Sequence, residues 1–550
     1  MSETSTRDCD VLIIGGGPVG LTAALCLSKF GITSIVVERD AETSRAPKAR
    51  AVNTRSMEIF RELGIEKALL REALPLESWR FLFCDEISGP EWARVEDPVD
   101  VSASASPTYR RTIMQSHVEA VLAAAVEASD SAEVLFATEL RSLVQEKTSV
   151  VAHVYDANAH EERELRGRFM IGADGTQSVV RPMLGVGLPG ESGLAFMATI
   201  HHRTQLDRWL ADRPATLIMT TGAGAAPRIT GVAKGMEEWV TMLPIGDTPG
   251  TRLEDLNHER CKEIVCEVVG ADDIESEILH VGSFTINFQL ATEFRRDRVF
   301  LAGDAAHRIP PAGGFGMNIG VQSAHNLAWK LAAVVHGEAS EELLDTYDLE
   351  RREVAQEVGD WSRLNGPRMG AILMARLEGD ALALKTAAEE MEKYVCNIGM
   401  DLGVCYSEGA LVSDGEPHPP LEPSVYRPSA RAGARAPHCW LERDGESIST
   451  LDLFGRGFVL LGNAGAKDRE SFDVIARESA KRLGVHLESW GVGADGDFED
   501  PDSSFAKVYD IPKTGAVLVR PDGFVGWRTP EASPLTTESL TRALRQILYR

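Results

Sequence analysis

Apolar positions along the chain switch between the unbroken runs of short buried strands and the i, i+3, i+4 spacing of helices, which predicts a mixed α/β protein. Runs of strand length stand at residues 11–14, 35–37 and 299–302, and another leads into Asp174-Gly175. A small-residue helix follows the first run, an amphipathic helix covers 56–63, and another starts around 109–122. The clearest helical spacing is Ile319, Val321, Ala324, Leu327, Ala328 and Leu331. From Gly190 to Phe288 the pattern turns β-rich, with strands expected at 195–202, 216–221, 229–233 and 239–245. Residues 343–384 read as helices, and a proline-rich stretch at 417–437 marks a boundary. Beyond it, a strand at 458–461, a helix at 469–483, a hairpin turning at Pro521-Asp522-Gly523 and a helix at 538–548 predict a small α/β unit.

Candidate chemistry collects where strands end. Residues 11–14 run into Gly15-x-Gly17-x-x-Gly20, with Pro18 inside, and Glu38 closes the second run. Gly15 permits a tight turn, Gly17 lets the backbone approach a pyrophosphate, Gly20 allows close helix–strand packing, and Glu38 suits ribose hydroxyls. The bare spacing recurs at 185–190 and 491–496. The former has no apolar strand leading in and a proline inside, and the latter runs into an acidic loop, so both are expected to be turns. Strand, small residue, carboxylate and helix occur at Asp174, with Arg181 in the helix, and again at Gly303-Asp304. After Asp304 come a Pro-Pro pair and the glycine-rich 313–316, an order that aims backbone N–H groups and a helix N-terminus at an electron-rich ligand. Arg45, Lys48, Arg50 and Arg55 would suit phosphate, or form a solvated basic loop. Gln115 alone reads as a surface residue.

At 550 residues the chain calls for two or three domains. A formal charge of −26 argues against a nucleic-acid partner. No run approaches the roughly 18–20 apolar residues of a membrane span, and MSETSTRDCD lacks the basic and apolar regions of a signal peptide. The eight cysteines show no CxxC pair and no metal spacing, so a reduced cytoplasm and no metal are expected.

Taken together, GGGPVG with Glu38, the GADG of 172–175 and the GDAAH of 303–307 with PPAGGFGMN resemble the single-component FAD-dependent aromatic hydroxylases of the para-hydroxybenzoate hydroxylase fold family. A longer resemblance, to the phenol, 2-hydroxybiphenyl and 2,4-dichlorophenol hydroxylases, takes in RSMEIFRELGIE (55–66), TIN (285–287) with Gln289, LLDTYDLERR (343–352), RAPHCWL (435–441) and VLVRPDGFVGWR (517–528). It implies a Rossmann-like FAD-binding domain of glutathione-reductase type, interrupted over 1–80, 100–188 and 286–375. A β-rich substrate domain would take 81–99 and 189–285, a helical region and linker 376–423, and a thioredoxin-like unit without CxxC 424–550. That unit is expected to be structural, and a homodimer contact through it is a further expectation. Glu38 and Arg39 would hold the adenosine end of FAD, Arg50 and Gln115 the pyrophosphate and ribityl region, Asp174 both FAD and NAD(P)H, and Asp304 the ribityl chain. Backbone groups of Gly314, Phe315, Gly316, Met317 and Asn318 would face the flavin's pyrimidine edge, with Pro311 beside its reactive face. Some relatives carry Asp or His, discussed as assisting phenol deprotonation, where this chain has Arg50; arginine stays charged and is not that base.

The implied reaction uses NADH or NADPH and O₂ to form a C4a-hydroperoxyflavin, which passes an electrophilic OH to a phenolic ring. Candidate lining residues of the ring pocket are His201, His202, Met219, Trp239 and Met242, with ordinary packing as the competing reading for each. Two alternatives stand beside this one: oxygenation of a complex natural product such as a polyketide, by hydroxylation, epoxidation or Baeyer–Villiger insertion, and a non-catalytic flavin-fold binding protein.

Overall fold

The structure, a computed structural model, describes residues 6–550 apart from 77–78, 97–103, 223–226, 247–251, 416, 464–465, 494–495, 513–514 and 530–533. The expected apolar runs lie in the middle of an eight-stranded sheet ordered Arg295–Arg296, Val299–Leu301, Glu161–Gly172, Thr6–Ile14, Ser34–Val37 and Ala132–Leu135. Val150–Asp156 pairs antiparallel with Glu161–Gly172, and Thr138–Gln145 lies beyond it. Pairing from Val299–Leu301 through Ala132–Leu135 is parallel and sets Leu301, Gly172, Ile14 and Val37 side by side. Parallel strands covered on both faces call for apolar residues at every position, and Val11, Leu12 and Ile13 are fully buried. The helix Pro18–Lys29 returns from the first strand with Pro18 at its opening turn. The helix Phe315–Val335 is buried along most of its length, packing against Pro18–Lys29, Thr54–Glu62 and Thr346–Glu378.

A second eight-stranded sheet runs His307–Arg308, Ser276–Leu290, Gly190–Thr204, Glu238–Pro244, Arg228–Lys234, Leu217–Thr220, Arg80–Cys84 and Glu91–Glu96. One face packs Ile200, Trp239 and Leu243 against Ile264, Val265 and Val268 of the helix His258–Val269. On the other, Phe81, Phe83 and Met219 meet Ile372 of Thr346–Glu378 and Met391 and Val395 of Ala381–Val395. The last sheet, Leu487–Val492, Phe458–Asn463, Ala516–Val519 and Val525–Arg528, packs with Ala466–Leu483 and Thr537–Ile547 against Trp329 of the long buried helix. No helix among the described residues is long and apolar enough to cross a membrane.

Several expectations need correction. The helix expected from about 319 starts at Phe315, so the glycine segment is its cap and opening turn rather than a separate loop. Arg111–Thr112, expected as helix, pairs as a short strand with Ala51–Val52, and the helix begins at Gln115. His258–Val269 was unexpected in the β-rich stretch, yet its signals are in the sequence: Asn257 caps it, Gly270 ends it at φ +74°, and Cys261, Ile264, Val265, Val268 and Val269 share one face. Residues 185–190 do connect a short helix to a strand. Of 491–496, residues 494–495 lie outside the described residues, as does the boundary at residue 100.

Candidate functional site

Gly15, Glu38, Asp174 and Asp304 all stand just beyond the carboxyl ends of adjacent parallel strands, the edge where open α/β sheets take ligands. The ladder continues into these turns: Gly15 N–H donates to the Val37 carbonyl at 2.9 Å, Ala173 N–H to Ile14 at 2.8 Å, and Ala302 N–H to Gly172 at 2.9 Å. Gly15 sits at φ +110°, where a Cβ would strike the Ala173 carbonyl. A Cβ on Gly20 would likewise strike the Gly15 carbonyl, whereas one on Gly17 would meet nothing within 4 Å. The helix after Gly17 has no side-chain cap, so its opening N–H groups face that open space. Glu38 accepts N–H bonds from Gly16 (2.6 Å) and Asp40 (2.9 Å), which holds its carboxylate beside the glycine turn.

Asp174 accepts N–H bonds from Val179 (2.7 Å) and Val180 (3.0 Å) through Oδ2, while its buried Oδ1 has no partner among the described residues. Arg181 donates to the Ala305 carbonyl at 2.9 Å, tying this segment to the one carrying Asp304. Arg308 closes the same rim, donating to the Thr176 carbonyl and to Gln289 Oε1. Asp304 itself receives no hydrogen bond among the described residues. Burial pushes its pKa up to about 6, against the pull of Arg308 and Lys48. Beside it, Phe315–Val335 starts from Gly314 at φ +70° without a side-chain cap. An unsatisfied carboxylate, uncapped helix starts and a cationic rim in an acidic protein fit a ligand with hydroxyls and phosphates, and so fit FAD.

Asn318, fully buried, braces this corner: its Nδ2 donates to the carbonyls of Ala51 (2.9 Å) and Gly314 (2.6 Å), and its Oδ1 accepts from Asn53 N–H (2.9 Å). Gln115, whose sequence context showed only a surface residue, accepts from Ala49 N–H (3.3 Å) and donates to Glu119 (2.7 Å), holding the basic loop. Arg50 leaves that loop for the second sheet, where its guanidinium lies over Gly231 and points at the Val232 carbonyl at 3.5 Å. Pro311 is exposed, and its carbonyl accepts from Gly314 N–H (3.0 Å). Phe315 turns its ring into a core with Val354, Val358 and Tyr406, and Met317 packs on the main core, so at this corner they offer backbone only. Arg39 is not brought in: its side chain is 60% exposed, with Asp40 4.0 Å away.

Strand register sorts the lining candidates. Trp239, paired with His202 across strands, lies on the face covered by His258–Val269, where its indole donates to the Thr204 carbonyl (3.2 Å). His202 is equally buried, bonded to Thr204 and Thr241, and its pKa falls to about 3 because burial disfavours charge. Both expectations are therefore corrected, since side chains alternate faces along a strand. Met242 lies opposite, with Val240 and Ala233 against Met114, and Met219 lies near Ala312 in the apolar layer under Ile372. His201 shares Val240's face but is bonded to Glu238 Oε2 (3.2 Å), and burial lowers its pKa despite that carboxylate. Ser362 and Asn365, which sequence reasoning missed, are buried donors to the Ala312 carbonyl at 2.6 and 3.4 Å. Their only sequence signal is helical spacing toward this layer.

The comparisons with known proteins agree with this geometry. A family model for an FAD-binding domain matches residues 8–362, and one for the C-terminal part of aromatic-ring hydroxylases matches 429–550. The chain is 33% identical over 589 residues to the 2,4-dichlorophenol 6-monooxygenase of Delftia acidovorans, covering 100% of both chains. To the tetracenomycin A2 monooxygenase-dioxygenase of Streptomyces glaucescens it is 32% identical, covering 99% of this chain and 98% of that one. The solved structure of the flavin-dependent monooxygenase PieE with FAD and substrate superposes with a TM-score of 0.92 at 32% identity, covering 98% of this chain and 99% of that one. With four carboxyl-terminal strand ends side by side along one sheet edge and matches that run end to end, the chain belongs to the FAD-dependent aromatic-ring monooxygenases.

Proposed function

We propose that this protein is an NAD(P)H-dependent monooxygenase that hydroxylates a phenolic ring. The observation that carries the reading is Asp304, a carboxylate without a donor among the described residues, beside three neighbouring strand ends and an uncapped helix start. FAD, once bound and reduced, supplies activation of O₂ for electrophilic hydroxylation. The chain's own groups do the rest. Gly17 and the following helix start receive the pyrophosphate, Glu38 and Asp304 accept hydroxyls, and N–H groups from Gly314 onward face developing negative charge. Arg50, fixed over Gly231, stabilises phenolate electrostatically rather than acting as a base. Phe81, Phe83 and Met219 exclude water from the ring's surroundings.

The finer architecture follows the same reading: a Rossmann-like FAD domain interrupted by the β-rich substrate domain at the boundaries given above, and a thioredoxin-like C-terminal unit. The strand order of that unit, with one parallel pair and an antiparallel hairpin, supports it. A cytoplasmic homodimer is part of the proposal, and eight free thiols suit a reduced compartment. A second reading, oxygenation of a larger natural product such as a polyketide, draws support from the likeness to the tetracenomycin A2 enzyme. The test is to purify the protein with FAD, record flavin absorbance, and follow NADH and NADPH oxidation with a panel of phenols and polycyclic aromatics. A flavin-loaded protein giving a product heavier by one oxygen is expected. A protein that takes up no FAD would instead be the binding protein without turnover.

A further inference from the structure

The helix Thr346–Glu378 turns Trp361, Asn365, Arg368 and Ile372 along one row, at the spacing that shares a face. Ser362 anchors it to the Pro311 turn, donating to the carbonyls of Pro310 (2.8 Å) and Ala312 (2.6 Å), and Asn365 Nδ2 adds a donor to Ala312. That orientation leaves Asn365 Oδ1 to accept from Arg368 Nη1 at 2.8 Å. From the other side the guanidinium lies over the Trp361 ring, 4.1 Å from its centroid. Arg368 is thus held at two points, and its other donors find no acceptor among the described residues. It has no ion pair there either: Glu390, whose charge it feels, is paired with Lys393 at 2.7 Å. The next residue, Met369, packs with Ala312 on the apolar layer of Phe83, Met219 and Ile372.

A half-buried arginine with no ion-pair partner among the described residues, in a chain of net charge −26, is a cation kept for something else. We propose that Arg368 is a specificity-determining residue that receives a carboxylate carried by the aromatic substrate, remote from the carbon that is hydroxylated. This rests on the monooxygenase reading above and narrows it to acidic phenols. The planar guanidinium, braced by Asn365 and Trp361, matches a carboxylate in two-pronged fashion and has little freedom left to lose.

The test uses FAD-loaded protein and two ligands of the same shape, a hydroxynaphthoate and its carboxamide, with affinities measured by calorimetric titration. Wild type is expected to bind the carboxylate about tenfold or more tightly than the amide. Arg368→Gln should bring that ratio to about one, and Arg368→Lys should keep part of it, with FAD absorbance reporting that each variant is folded. Equal binding of the two ligands, binding of neither, or a ratio that survives Arg368→Gln overturns the assignment while leaving the monooxygenase reading intact. Failure to take up FAD overturns that reading instead.

Discussion

Asp304 shows how a single side chain links binding to pH. Its folded pKa, about 6, lies above the ordinary 3.8, so between those two pH values the apoprotein keeps a proton there that the unfolded chain has released. Apoprotein stability from this group is therefore greatest at low pH and is lost as pH rises through about 6. Asp304→Asn should stabilise the apoprotein at neutral pH by on the order of 1–2 kcal/mol after discounting for solvent, read as a higher Tm, and change it little near pH 4. Hydroxyl donors from the cofactor favour the ionised form, so FAD affinity of the wild type should rise through pH 6 while the variant's profile stays flat. Parallel profiles in an FAD titration across pH would count against this role. Gly15→Ala forces a side chain into the Ala173 carbonyl at φ +110°. It should abolish FAD retention, read from the flavin-to-protein absorbance ratio, and lower Tm.

Elements decide which face a residue shows. Four strands of the second sheet were expected from the β-rich stretch, yet each face of the sheet is covered by helices, so hydrophobicity did not say which side meets the cofactor. Trp239 and Met242 sit three positions apart on one strand and therefore point to opposite faces. Trp239→Leu should lower stability by about 2–4 kcal/mol in urea unfolding and leave KM for the phenol unchanged. Met219→Ala, on the opposite face, should raise KM severalfold with FAD still bound. The reverse outcome would reassign the faces. The Pro311–Asn318 corner shows a second limit: glycines at 313 and 314 announced a special backbone, but Asn318's braces to Ala51 and Asn53 depend on a strand hundreds of residues earlier.

At the scale of the whole molecule, buried charge joins the C-terminal unit to the FAD-binding part. Arg520 and Asp522, in the hairpin turn, meet Glu350 and Lys330 on two helices, all of them buried: Arg520 Nη1 lies 2.8 Å from Glu350 Oε1 and Lys330 Nζ 2.8 Å from Glu350 Oε2. Burial would raise the Glu350 pKa, but Arg520 and Lys330 more than offset it and hold it at about 2, while burial draws Lys330 down to about 8. Glu58 and Arg435 form a second buried pair across the same junction. Removing one partner strands the rest, so Arg520→Met should cost about 3–5 kcal/mol, measured by urea unfolding. Glu350 contributes stability above its ordinary 4.5 that is lost as pH falls toward about 2. His202 and His307, buried neutral with pKa about 3, contribute stability above 6.5 that is lost as pH falls toward 3. Tm should accordingly drop in acid from pH 6 downward, with a variant such as His202→Gln showing a shallower slope than wild type.

Local chemistry made some of this legible before any coordinates. A glycine where a side chain would strike a carbonyl, a proline at a helix start and a carboxylate after a buried strand are forced by backbone geometry within a few residues. They marked Gly15, Gly17, Glu38, Asp174 and Asp304 and the helices that follow. The tertiary structure alone decided what depends on distance along the chain. Arg39 went to solvent, Arg50 reached the second sheet, Trp239 and His202 were buried in the second sheet, and Arg368 came to stand beside the Pro311 turn. Those outcomes follow from which faces pack together, and a residue's own neighbours in sequence carry no record of that.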